Sequence, residues 1–134
     1  MPNRAIEIHD SILADVSFSQ GEAQLHFSKV YIHQSESAPG RAAGSVWVQK
    51  AILRISSAKM EGVFSEFPAT LDGGQIQVGQ NLLKNAIPVP LRHKGAFELH
   101  LEAWQQSNEV VIFTGSGAEL ELLGEPKYVE EFWP

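Results

Sequence analysis

Residues 95–104, GAFELHLEAW, constrain the fold more than any other part of the chain. The segment alternates without a break. Phe97, Leu99, Leu101 and Ala103 share one phase, and Glu98, His100, Glu102 and Trp104 share the other. Successive side chains of a strand point to opposite faces, so this pattern predicts a strand with one dry and one wet side. The same alternation recurs more weakly at residues 5–9, 24–27, 46–49, 75–78 and 119–122. No amphipathic helical pattern of about ten residues or more separates these segments, which argues against a βαβ array. The expected fold is all-β: an antiparallel β-sandwich or jelly roll of about eight to ten short strands, with a closed β-barrel as the second choice.

Length and composition fit one domain covering residues 1–134. Hydrophobic residues make up 43% of the chain, the share of an ordinary globular core. Cysteine is absent, so disulfides, thiolate metal sites and cysteine nucleophiles are excluded. The first ten residues carry no apolar signal core. The longest uninterrupted apolar run is four residues, 110–113, against the roughly 20 needed to span a bilayer. These features read as a cytoplasmic, bacterial-type protein. The net charge is −6, and the densest basic cluster is Arg92-His93-Lys94. Nucleic-acid binders concentrate positive charge on a face or stripe. Nucleic acid and anionic membrane are therefore not expected partners.

Two phase changes stand out. In residues 22–33, Leu25 and Phe27 share one phase and Val30 and Ile32 the other, which predicts a β-bulge near Ser28-Lys29. In residues 45–55 the phase changes again near 49–51. Between them, residues 34–44 are rich in Ser, Ala and Gly and read as a flexible loop, longer than a usual hairpin connection. Residues 59–67 form a weaker strand. Asp72-Gly73-Gly74, residues 105–108 and Gly115-Ser116-Gly117 read as turns, and Gly124-Glu125-Pro126 as a strand end. Ile87-Pro88-Val89-Pro90-Leu91 is extended and belongs on an edge, because proline donates no ladder hydrogen bond. Residues 128–134 carry Tyr128, Phe132 and Trp133 and are expected to dock as a C-terminal tail.

Three constellations could carry chemistry. Glu98, His100 and Glu102 lie in a row at ~6–7 Å spacing on a wet strand face. With His26 they could ligate zinc, manganese or iron, or they could simply face solvent. The second constellation flanks the loop. Tyr31 and His33 before it, Trp47 and Gln49 after it, share a face if the flanking strands pair. With Arg41 they would form an aromatic recognition surface, against core-facing Ile32, Val46 and Val48. The third, His9-Asp10-Ser11, has the residue types of a hydrolase triad, but contiguous residues cannot assemble one, and Asp10 or Ser11 fits a turn cap better. The sequence therefore favours a non-catalytic module without a cofactor, binding a small molecule, carbohydrate or protein. A divalent-metal enzyme of cupin or jelly-roll type is the alternative. A structural subunit that forms a homo-oligomer through the proline edge or the tail is the third.

Overall fold

The computed structural model describes residues 2–104 and 110–134. They are all-β, in nine strands: β1 (Asn3–Ser19), β2 (Glu22–Ser35), β3 (Gly44–Ser56), β4 (Lys59–Glu61), β5 (Ala69–Val78), β6 (Asn81–Lys84), β7 (Ala86–Val89), β8 (Arg92–Ala103) and β9 (Val110–Phe132). Every pairing is antiparallel; eight strands follow the order β6-β5-β8-β9-β3-β2-β1-β7, and β4 pairs with β9. A short contact of two residue pairs, Ile12 with Thr70 and Leu13 with Ala69, joins β1 to β5, so the long strands surround one core. No helix is long and apolar enough to cross a membrane.

The dry face of residues 95–104 is core. Phe97, Leu99, Leu101 and Ala103 are buried, whereas Glu102 and Trp104 are exposed. The strand count falls within the expected range, and β4, β6 and β7 are short, but β1, β2, β3 and β9 span 17, 14, 13 and 23 residues. The reason is that several expected breaks are irregularities within continuous strands. The bulge at Ser28-Lys29 appears as a register shift between Phe27 and Val30, and the second lies between Val48 and Lys50. Residues 12–18, whose periodicity is too weak to assign, continue β1. The segment 59–67 keeps only three strand residues.

Three glycine-bearing segments read as turns or strand ends lie inside strands. Gly73 and Gly74 belong to β5, Gly115 and Gly117 to β9, and Gly124 sits at the bulge where β9 continues to Phe132. At Gly115 a Cβ would meet Ile55 Cγ2 and the Ser56 carbonyl, both at 2.5 Å. Glycine here permits close approach of neighbouring chains instead of a chain reversal. The expected turn at 105–108 lies outside the described residues. The tail is the last part of β9. Residues 128–132 pair with β3, Phe132 sits edge-on to the His33 ring, and Trp133 remains 75% exposed rather than docked. The proline segment behaves as expected, since β7 ends the strand order and pairs only with β1.

β1 leaves its ladder between Glu7 and Ile12. Asp10 there takes a positive φ of 71°, which Asp tolerates better than most residues. Ser11 is fully buried and fills the gap. Its hydroxyl donates to the Glu7 carbonyl at 2.7 Å and accepts from the Tyr31 N–H at 3.3 Å. It bridges the two strands across the gap in the ladder. Ser11→Ala strands a buried donor and acceptor and should lower the unfolding free energy by about 1–3 kcal/mol. Urea denaturation reads this directly, and a change within error would mean that the ladder closes without the hydroxyl.

Candidate functional site

The kink in β1 aligns its first residues with two walls. Asn3 to Glu7 form a floor between β2 and β7. On one side stands the loop of residues 36–43, held by its own turn (Arg41 N–H and Ala42 N–H to the Ala38 carbonyl, 3.0 and 2.8 Å) and by Asn3 Nδ2 donating to the Ser37 carbonyl at 2.7 Å. On the other side stands the β6–β7 corner. Asn85 turns it with a φ of 54°, a conformation that Asn adopts readily. Its carbonyl accepts from Ile8 N–H and its side-chain oxygen from His9 N–H, so the corner is pinned to the kink. Between these walls lies a cleft of about 730 Å³. That volume lies within the range of small-molecule sites, about 300–1,000 Å³.

His33 lines this cleft and is 7% exposed. Its phase places it away from the main core, as expected, but it is not open to solvent. Phe132 contacts the ring at 4.9 Å between centroids, and a Cβ at Gly40 would lie 3.8 Å from its Cγ. Nε2–H donates to Glu7 Oε1 at 2.7 Å. Glu7 reaches it diagonally, because the direct cross-strand partners are Ala5 with His33 and Glu7 with Tyr31. Nδ1 is buried and has no hydrogen-bond partner among the described residues. With Nε2–H committed to Glu7, Nδ1 accepts when the ring is neutral and donates when it is charged. A buried polar atom left unpaired is costly, and His33 Nδ1 is such an atom beside the cleft.

The expected aromatic surface is divided by the register. Tyr31 pairs with Val48 and His33 with Val46, while Ile32 pairs with Trp47 and Val30 with Gln49. Cross-strand partners share a face, so Tyr31 and His33 lie opposite Trp47 and Gln49. Trp47 packs partly against the core, edge-on to Tyr128 at 5.4 Å, with Nε1–H donating to Ser45 Oγ. Gln49 Nε2–H donates to the Gly124 carbonyl. Tyr31 carries the Lys29 ammonium 5.6 Å from its ring centroid. Of the five candidate binding residues only His33 and Arg41 meet in the cleft. Arg4, Glu7 and Lys84 also line it and carry no local sequence signal, because strand pairing brings them together from distant segments. The phase of Ile6 and Ile8 does put Glu7 on the wet side of its strand.

The metal constellation is not assembled. His100 Nε2–H donates to Glu98 Oε2 at 2.7 Å. His26 lies on β2, separated from β8 by β3 and β9, and shares a hydrogen bond with Ser17. Among the described residues no group of three or more His, Asp or Glu is arranged to hold a metal ion. His9 has its own role. Nδ1–H donates to the Asp72 carbonyl at 2.7 Å, which raises its pKa above the usual 6.5, and nearby Asp10, Glu7 and Asp72 add to the effect against partial desolvation. A raised folded-state pKa gives stability that is complete below the unfolded value and is lost as pH rises through the folded value. Stability should therefore decline above pH 6.5, and His9→Gln should flatten that decline in pH-dependent denaturation. The amplitude is small, because the side chain is 42% exposed. An identical decline in His9→Gln would assign it to another group.

Comparison with protein-family models, with curated proteins and with solved structures gives no match.

Proposed function

We propose that the protein is a non-catalytic binding module that takes a small molecule in the cleft over His33. One observation carries this reading: a cleft of about 730 Å³ lined by His33, whose buried ring nitrogen has no partner among the described residues. Glu7 fixes the ring from the other side, so the nitrogen is held in place before a ligand arrives, which lowers the cost of binding. No hydroxyl is hydrogen-bonded to the ring among the described residues, and this favours recognition over nucleophilic chemistry. His33→Phe keeps an aromatic ring against Phe132 and removes both nitrogens. A panel of small polar molecules screened by thermal shift should contain compounds that stabilise the wild type and lose that effect in His33→Phe. Compounds that stabilise both proteins equally would place binding elsewhere and overturn the proposal.

A further inference from the structure

Resting on that reading of the cleft, we infer that its ligand is an organic anion, with a carboxylate or phosphate head and a short apolar body. The chain has 10 Lys and Arg against 16 Asp and Glu. Against that balance, Arg4, Arg41 and Lys84 all line one cleft, and Glu7 is its sole lining carboxylate among the described residues. None of the three cations forms an ion pair among the described residues, whereas Arg54 and Arg92 are paired with Glu121 and Glu119. Glu7 is already engaged by His33. The three cations come from the floor, the loop wall and the corner wall, so no short-range sequence pattern gathers them.

Arg4, Arg41 and Lys84 give the lining of this cleft a net positive balance over Glu7, which an anion would complement. Guanidinium groups match carboxylate and phosphate oxygens with paired N–H donors, and an ammonium adds a point charge. The apolar part of the ligand follows from the corner wall. Leu82 and Leu83 line the cleft while 49% and 37% exposed, and covering them removes apolar surface from water.

Calorimetric titration at fixed ionic strength tests this with hexyl phosphate, hexanoate, hexanol and inorganic phosphate. Hexyl phosphate, hexanoate or both should bind at least about ten-fold more tightly than hexanol. The preferred head distinguishes phosphate from carboxylate recognition. The triple variant Arg4→Gln, Arg41→Gln, Lys84→Gln should lose the anion preference while hexanol binding stays unchanged. Because Lys84 is exposed, Lys84→Gln alone keeps the test valid should the triple variant fold poorly; it should weaken the anions selectively. If hexanol matches the anions and is lost in His33→Phe, the cleft reading stands and the anion inference fails. If neither anion binds at millimolar concentration, or binding persists in both His33→Phe and the triple variant, the inference is overturned. Inorganic phosphate binding as tightly as hexyl phosphate would overturn the apolar body.

Discussion

Leu99→Ala should lower the unfolding free energy by about 2–5 kcal/mol, through lost burial and the cavity left behind. Leu99 is fully buried on β8, between Ile76 of β5 and Phe113 of β9, and both of these partners are fully buried as well. The three side chains form a row across the middle of the sheet, where the backbone is paired on both sides and cannot collapse into the gap. His100, the next residue, faces the other way, with its side chain 27% exposed and its Nε2–H given to Glu98. His100→Ala should cost far less. Urea denaturation of the two variants compares the faces of one strand, and equal losses would contradict the assignment of the core side.

Phase within a strand was readable wherever one face is dry and the other wet. The 95–104 alternation and the bulge at Ser28-Lys29 both follow from that contrast, and the structure has both. Phase does not supply register between strands. Val46 and Val48 look like core residues beside Trp47, yet they share the face of His33 and Tyr31. Val46 is buried there outside the main core cluster. An apolar residue can thus mark a covered outer face as well as the interior, and the sequence does not separate the two.

The cleft was less legible than the sheet for a related reason. Its members lie at residues 3–7, at 33, in the loop at 37–41, at 82–86 and at 88. Pairing of β1 with β2 and of β1 with β7 brings these segments together, and no local period encodes that. His33 and Arg41 stood out because one precedes a long loop and the other lies within it. Arg4 and Lys84 look like ordinary surface cations until the topology places them around one space. Glycine misled in the opposite direction. It is the strongest turn signal in a sequence, but it is also the residue that lets two backbones approach closely.

Gly73 and Gly74 distinguish these two uses of glycine. A Cβ at Gly73 would have one neighbour, the flexible Glu102 carboxylate, at 4.0 Å. A Cβ at Gly74 would run into the His100 carbonyl, which is backbone of the adjoining strand and cannot rotate away. Gly73→Ala should therefore change stability by no more than about 0.5 kcal/mol. Gly74→Ala should cost about 3 kcal/mol or more, at or above the usual range for overpacking, because β5 and β8 must separate to admit the methyl group. The effect should reach the cleft. The Gly74 carbonyl accepts the Asn85 N–H at 2.8 Å, and Asn85 in turn accepts from Ile8 and His9, so moving Gly74 moves the corner wall. Chemical denaturation of the two alanine variants measures the first effect, and amide hydrogen exchange at Ile8, His9 and Asn85 in Gly74→Ala measures the second. A simple reversal at this dipeptide would make the two glycines respond alike. Close approach of β5 to β8 makes them differ by several kcal/mol one residue apart, and only the costly variant should displace the corner wall of the cleft.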